Sequence, residues 1–545
     1  MTPFQIKNKY VTLKADRSAL ESLWDLIEQF VMPFRGEFFS SSNGEQSVDW
    51  RKRKLYDSTA VMAAQNLAAA IQSNLINPST RWFDLKFRSN DLMSNDEARE
   101  WLEECASIIY YTLNESNFNR EASESILDMV GFGTTVINEE TKELDNGGLR
   151  LDFSSMPISE VVFEEDSDGG LVAVYRELNW TALQIIDKWG DDNPLIPQKV
   201  RDKLGTDDEG KDKFKIIFCI HKRDTDADLT KKVLAAKLRP YASRYIFFDD
   251  PADLAEEGGY YEMPSFIPRW RKTSGSKWGH SPSAVALADI LTVNELVEVV
   301  LENAAKAVDP ATFVTKKGLL STLKLGRGGL TVVRSKDDIW EYNTSARFDV
   351  GALEIKRLQD QINKAFYVDQ LDLKDSPAMT ATEAQIRYEL IQRLVGPTLS
   401  RFQTDWLNPC ISRTFGILYR SDMLPEPPQV VKDAQAQFDI EYTGPMARSH
   451  KREIAISIQN WLQTLSEVSG VLPEVIDVPD PDKVATKLGI LGGVPADIMR
   501  SDTEISEIRD ERRKAQDAQA QAEMDKMKSE AAMNNANADK VSNGQ

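Results

Sequence analysis

One stretch dominates the hydrophobic pattern. Residues 281–309 read SPSAVALADILTVNELVEVVLENAAKAVD, and no Gly or further Pro interrupts the run before Pro310. Ser281 is a good N-cap. Pro282 falls at the first helical position, where a missing N–H costs nothing. The run predicts a helix about 40 Å long. Glu295, Glu298, Glu302, Lys306 and Asp309 fall within roughly 80° of one another around its axis. The rest of the circumference is mostly Val, Leu, Ile and Ala. A helix apolar over most of its girth must be covered by several neighbours. Two arrangements satisfy that pattern. One is an ordinary core helix with a solvated edge. The other is a helix packed between copies of itself, its acidic edge facing a wet lumen. The three glutamates break the uncharged run of about 18 residues that a membrane span needs.

The remaining chain is punctuated by similar signals. Helical spacing is clear over 17–31, at Leu20, Leu23, Trp24, Ile27, Phe30 and Val31. An Ala-rich helix opening with WRKRK is predicted over 50–76, ended by Asn77-Pro78. The basic cluster Arg51 to Lys54 either touches phosphate or solvates a helix start. WFDLKFR, 82–88, alternates as a strand. Two helices follow over 95–130, the first capped by Asn95 or Ser94. From Thr134 to Asp249 the period becomes two: TTVINEE, LRLDF, SEVVFEE, LVAVYREL, FKIIFCIHKR and SRYIFFD are separated by turns such as DNGG and DSDGG. One short helix near 181–190 interrupts them. These strands predict antiparallel pairing in a mixed α+β unit.

Beyond Pro310 a turn-rich basic segment carries Lys316, Lys317, Lys324 and Arg327. A helix is predicted over 353–368. A loop then leads to a helix start where Thr380 and Glu383 have capping-box spacing. That helix is expected to kink at Gly396-Pro397 and run to Arg420. PEPP at 425–428 reads as a linker, and 448–468 as an amphipathic helix with Ile454, Ile458, Trp461, Leu462 and Leu465 on one side. Residues 502–545 hold almost no large apolar side chains. Helix propensity there is high to about Met533. The segment either fits a ring of like helices or is a solvated tail, and the last dozen residues favour the tail.

Composition narrows the function classes. The 545 residues carry 66 Lys and Arg against 86 Asp and Glu, a formal net charge of −20. A sequence-reading nucleic-acid binder usually shows a basic face, so that class is disfavoured. A protein that lets DNA slide past without gripping it is not. Cys105, Cys219 and Cys410 lie far apart and form no disulfide framework. The first 16 residues contain no apolar core of a secretory signal.

Catalytic signatures are sparse. There is no phosphate-binding G-x-x-x-x-G-K-[ST] and no G-x-S-x-G elbow. His221, His280 and His450 have no partner at zinc spacing. Asp224, Asp226 and Asp228 mimic the start of a calcium loop, but Leu229 and Ala235 stand where that loop needs Gly and a carboxylate. A solvated acidic turn is the expectation there, as for Asp337 and Asp338. The chain is read as a non-enzyme with no cofactor and no metal.

The order of parts is similar to a known family. WGHSPSAVALADILTVN, 278–294, resembles the G-x-S-P…A-L-x-D-I…L-N signature of podophage portal proteins, the head-to-tail connectors of short-tailed bacteriophages. MTATEAQIRYELIQRLVGPTLSRFQTDWLNPCISRTFGIL, 379–418, resembles the family's more specific M-T-A-T-E…R…GP…R-x-Q…L…P…R…I-L block. YTGPMARSHKREI, 442–454, and PDKVATKLGILGGVPADIMRSDTEI, 481–505, are similar to two further blocks. The resemblance covers most of 270–515. The first 260 residues match only in general layout. His280 departs from the aromatic or small residue expected at its position.

The resemblance implies an α+β, mainly helical portal fold that assembles as a ring, typically of twelve subunits. Residues 1–280 would form the wing, 281–309 the first stem helix, 310–350 the clip and 351–368 the second stem helix. Residues 369–379 would form the tunnel loop, 380–439 the wing helix and linker, 440–500 the crown, and 501–545 a barrel remnant or disordered tail. It implies a virion component at the capsid vertex, assembled in the host cytoplasm. It would nucleate procapsid assembly with major capsid and scaffolding proteins, dock the terminase large subunit, pass double-stranded DNA and hold a tail adaptor, with no membrane. Glu295, Glu298 and Glu302 would then line the channel. Lys374 would touch DNA from the tunnel loop unless it pairs with Asp372 or Asp375. Lys316, Lys317, Lys324 and Arg327 would meet a clip partner or DNA. The alternatives are a helical tail or scaffold protein without a channel, and a phage DNA-processing enzyme.

Overall fold

The computed structural model describes the chain except at residues 36–54, 94, 144–147, 206–209, 225–232, 309–311, 316–320, 322–331, 342–347, 369–395, 434–436, 443–444, 470–473, 475–476, 493–501 and 543–545. The protein is α+β and mainly helical. It divides into two compact units, residues 1–80 with 108–424, and residues 81–107 with 425–545.

The first unit is built on a five-stranded antiparallel sheet. Its strands run, in spatial order, Val161–Glu165, Leu171–Thr181, Lys213–Lys222, Tyr241–Phe247 and Gly258–Tyr260. The central strand is a continuous apolar run because both faces are covered. Ile216, Phe218 and Ile220 pack with Ala182 and Ile185 of the short helix Ala182–Trp189. Ile217 and Cys219 face the other way, onto Ile6, Tyr10 and Leu13. Those three belong to the first helix, Pro3–Phe30. It starts well before residue 17, where the apolar spacing becomes obvious. Thr2 caps it in a capping box with Gln5.

A buried cation sews this helix to the sheet. Arg17 donates to the carbonyls of Ile158, Val161 and Ser159 at 2.7–2.8 Å and pairs with Glu21. Seven positions earlier, the Tyr10 hydroxyl donates to Glu177, which Lys14 and Lys215 also reach. A buried carboxylate met by three donors is strongly held in its charged form.

A second sheet orders Leu149–Met156, Val136–Glu143 and Ser265–Phe266. The helix Asn408–Arg420 is tied to its middle strand. Arg413 donates to the Glu139 and Glu262 carbonyls, and its Nε lies 3.7 Å from the buried Glu139 carboxylate. Thr414 donates to the same carboxylate at 2.9 Å. Residues 380–395, including the expected cap at Thr380 and Glu383, lie outside the described residues. That is the segment before the expected kink at Gly396-Pro397; in the described residues from 396 onward the helix is interrupted by a π-helical turn, Gln403–Leu407. Pro409 follows directly, and its missing N–H removes an ordinary helical bond there.

In the second unit, strand Phe83–Phe87 pairs antiparallel with Phe438–Tyr442. Residues 81–107, expected with the wing, group with residues 425–545. Trp101 stacks on Phe87 and donates to the Pro425 carbonyl at 2.9 Å. Helix Pro445–Ser469 packs on Pro481–Gly492, with Ile454 and Trp461 of its apolar side left exposed. The last helix, Asp502–Ser542, continues beyond Met533. The tail expected for the final dozen residues is thus helical through Ser542, because Ala, Gln, Lys and Glu favour helix even without packing.

Two pH effects follow. Burial alone would raise the Glu177 carboxyl, but hydrogen bonds from Lys14, Tyr10 and Lys215 outweigh it and lower the value to about 2. The stabilisation is present above the unfolded value of about 4.3 and is lost as pH falls through about 2; it is worth up to about 3 kcal/mol. Unfolding midpoints of E177Q should be lower at neutral pH and show a shallower acid loss. Glu139 runs the other way: burial pushes it up to about 7 against the pull of Arg413 and Thr414. Its folded form keeps a proton that the unfolded chain releases, so stability falls as pH rises from about 4.3 to about 7. E139Q should flatten that slope in a series of thermal melts. Asp128, raised to about 7 by burial against Arg35, supplies the slope that remains.

Candidate functional site around the long helix

The long helix spans Pro282–Val308. Its base is the WGHSP segment. Trp278 is buried against Trp24 and Phe163, with ring centroids 5.2 and 4.7 Å away. Gly279 crosses Gly133, the left-handed residue that ends helix Phe118–Phe132. A Cβ on Gly279 would sit 2.1 Å from the Gly133 carbonyl oxygen. The Gly279 N–H donates to Thr134 Oγ1 at 2.8 Å. Ser281 caps the helix, its Oγ accepting from the Ala284 N–H at 2.9 Å. Ser283, fully buried, donates to the Val130 carbonyl at 2.8 Å. Each small or polar residue of the segment thus has a steric or hydrogen-bonding reason. His280, the departure noted above, is exposed and lies 3.3 Å from Thr273 Oγ1.

The helix is covered by its own chain only in part. Every buried residue lies between Pro282 and Asn294: Pro282, Ser283, Ala286, Leu287, Ile290, Val293 and Asn294. Beyond Asn294, Val299, Leu301 and Val308 are 47, 53 and 86 % exposed. The companion helix, Phe348–Ala365, packs alongside and buries Leu358 and Ile362. It begins five residues earlier than the spacing predicts, and its Leu353 is 74 % exposed. Gly351 lets the two helices approach, since an added Cβ would lie 3.3 Å from Val300 Cγ2.

The acidic stripe is partly as expected. Glu295 and Glu302 are exposed, and Glu302 lies 3.9 Å from Lys306 one turn on. Glu298 is half-buried and accepts a hydrogen bond from the Tyr56 hydroxyl at 2.9 Å. That bond, foremost, raises the Tyr56 phenol above its ordinary value. Tyr56 belongs to a short segment leading to helix Thr59–Leu75. The Asn294 side-chain oxygen accepts the Tyr56 and Asp57 N–H groups at 2.7 and 3.3 Å. The Asp57 carboxylate accepts from the Thr59 N–H at 2.9 Å and from Gln359 of the companion helix at 2.7 Å. Tyr56, Asp57, Asn294 and Gln359 were not singled out from sequence. Asn294 carried the one visible signal, a polar residue on the apolar side of a helix.

Lys316, Lys317, Lys324, Arg327 and Lys374 lie outside the described residues, as do Asp226, Asp228 and the basic cluster Arg51 to Lys54. In the described part of 310–350, strand Thr312–Val314 pairs antiparallel with Ile339–Glu341, and Phe313 stacks on Trp340. Asp338, expected to be merely solvated, closes this hairpin. It accepts from Thr315 Oγ1 at 2.5 Å and from the Ser335 N–H at 3.1 Å. Among the described residues no three His, Cys, Asp or Glu come together to hold a metal ion. No described helix is long and apolar enough to cross a membrane.

The family of bacteriophage head to tail connecting proteins matches over residues 4–499. The chain is 25 % identical over 532 residues to a probable portal protein of Bordetella phage BPP-1, covering 94 % of this chain and 92 % of that protein. It is 26 % identical over 527 residues to the portal protein of Salmonella phage epsilon15, covering 94 % and 91 %.

The crossing under the helix gives a direct test. Gly279→Ala puts a methyl group into the Gly133 carbonyl and should lower stability by about 3 kcal/mol, read by thermal melting or loss of soluble protein. Gly275→Ala, where a Cβ meets nothing within 4 Å but φ is +88°, should cost about 1 kcal/mol.

Proposed function

The chain belongs to the family of bacteriophage head to tail connecting proteins, and from that membership we propose that it is the portal protein of its virion, a ring of identical subunits around a bore for double-stranded DNA. One observation carries the reading: the long helix is left uncovered where its apolar residues continue. Val299, Leu301 and Val308, with Leu353 beside them, are too apolar for permanent exposure on a rigid helix pair. Like helices of neighbouring subunits cover them if the rotation between subunits closes into a ring. Glu295 and Glu302 stay solvated and face the bore.

The charge suits passage rather than grip. Twelve copies at −20 each carry 12 × −20 = −240. Carboxylates around a bore repel phosphates from every side, which centres a duplex and prevents sticking. Lys374, in the tunnel loop 369–379, makes the few transient phosphate contacts at the constriction. Residues 310–350 form the clip, where Lys316, Lys317, Lys324 and Arg327 meet the terminase large subunit during packaging and the tail adaptor afterwards. The 501–545 segment is a barrel remnant or a solvated tail. The role is structural: the ring nucleates the procapsid with capsid and scaffolding proteins, and the motor's ATPase belongs to its partner.

Purified protein should form rings with a central hole by electron microscopy; a chain that stays monomeric at micromolar concentration contradicts the reading. In a ring, the double variant E295K/E302K should assemble normally yet package or eject DNA several-fold less efficiently, because cations in the bore bind phosphate instead of repelling it. Normal packaging by that variant would remove these residues from the channel wall.

A further inference from the structure

The contacts of residues 55–59 do something that neither the stripe nor the family resemblance calls for. Four hydrogen bonds tie this short segment to two helices, and a fifth closes its own turn at the start of a third. Asn294 of the long helix receives two backbone N–H groups, at 2.7 and 3.3 Å. Glu298, one turn further, receives the Tyr56 phenol at 2.9 Å. Asp57 accepts the N–H of Thr59, the first residue of helix Thr59–Leu75, and holds Gln359 of the companion. The grip falls at Asn294, the last buried residue of the long helix. Beyond that point, among the described residues, the helix has the Tyr56 phenol on Glu298 and the companion helix beside it.

We propose that residues 55–59 are a positioning strap. It locks the long helix and its companion in one register at the level of Asn294 and Gln359, and it ties the Glu298 carboxylate to Tyr56, while Glu295 is solvated and Glu302 meets only the exposed Lys306 of its own helix. The consequence for DNA rests on the channel reading given above; the strap itself does not. The chemistry suits the task. An amide oxygen that accepts two backbone N–H groups in a half-buried site is costly to remove, because both donors are then left dry. A phenol donating to a carboxylate makes a charge-assisted bond, stronger than one between neutral groups. The three glutamates are therefore not equivalent: the middle one is tied to a different segment of the chain, Glu302 pairs only with Lys306 of its own helix, and Glu295 is solvated.

Two measurements separate the strap from the channel. The first uses the full-length protein in solution. Y56F removes the bond and E298Q removes the charge that strengthens it, so each should lower the unfolding midpoint slightly and the double variant should lower it by less than the two effects summed. In ultraviolet titration, the difference between wild type and Y56F isolates one phenol of the 14 tyrosines. That phenol should titrate higher than an ordinary tyrosine, and lower in E298Q. Additive midpoints together with an unshifted phenol in E298Q would overturn the strap, whatever the ring does. The second uses assembled particles. N294A should reduce packaged DNA several-fold, and N294D, which keeps an acceptor for both N–H groups, should restore most of it. Failure of N294D to rescue, with rings intact, would overturn the positioning role. If the strap variants couple in solution while E295K/E302K particles package normally, the strap stands and the channel assignment has failed.

Discussion

The long helix is gripped at one end. Everything characteristic of the protein depends on how that grip is made. Two backbones cross so closely that neither glycine tolerates a Cβ: Gly279 lies against the Gly133 carbonyl, and Gly133 needs its positive φ to end the preceding helix. The crossing leaves polar groups dry, and each is answered locally. Thr134 takes the Gly279 N–H, Ser281 takes an orphan N–H of the first turn, and Ser283 returns a hydrogen bond to the Val130 carbonyl. Trp24 and Phe163 then close over Trp278. The joint is rigid because it is small, dry and held by these bonds, although the Trp278 indole N–H is buried there without a partner among the described residues. A helix of 27 residues, about 40 Å, leaves it in a defined direction.

Rigidity at the joint explains why the rest of the first unit is so heavily cross-tied. The elements that make the joint are the first helix, the helix Phe118–Phe132 and the strand edges beside them. Arg17 holds the first helix to three carbonyls of one loop, and Glu177 gathers Tyr10, Lys14 and Lys215 onto one carboxylate. On the far side, Arg413 and Thr414 hold the helix Asn408–Arg420 to Glu139. These buried ionic groups add little net stability over an apolar core of the same shape. What they add is a single geometry, since any slip would strand a charge out of water.

Much of this was legible in the sequence. The long helix, its cap and its acidic stripe follow from one period and two residues, Ser281 and Pro282. The strands follow from alternation, and FKIIFCIHK is a strand apolar on both faces because both are packed. What the sequence hid falls into two kinds. Some signals were masked by an unusual residue: Ile6, Tyr10 and Leu13 lie on one face of the first helix, but the polar residues between them and the buried Arg17 disguise it. The remainder was non-local. No period within 82–88 says that this strand pairs with 438–442, more than 300 residues away, and so the second unit was not foreseen. Asn294 was visible as a polar residue among Val and Leu. Its partners Tyr56 and Asp57 lie over 230 residues away, and nothing local names them.

Screening sets how the acidic stripe can work. At physiological salt the Debye length is about 8 Å, so a carboxylate on a channel wall acts only on phosphates that come near it. A wide bore with the same charges would leave a duplex indifferent to the wall. Repulsion therefore does useful centring only if the wall lies within about one such length of the phosphates, and only if the charges keep their radial positions. That second condition gives the strap its physical sense. Mobile carboxylates retreat from an approaching phosphate, and the repulsion weakens as they do. If the stripe lines the proposed bore, a carboxylate tethered by a phenol, on a helix held at Asn294, would not retreat, and the nucleic acid would move instead.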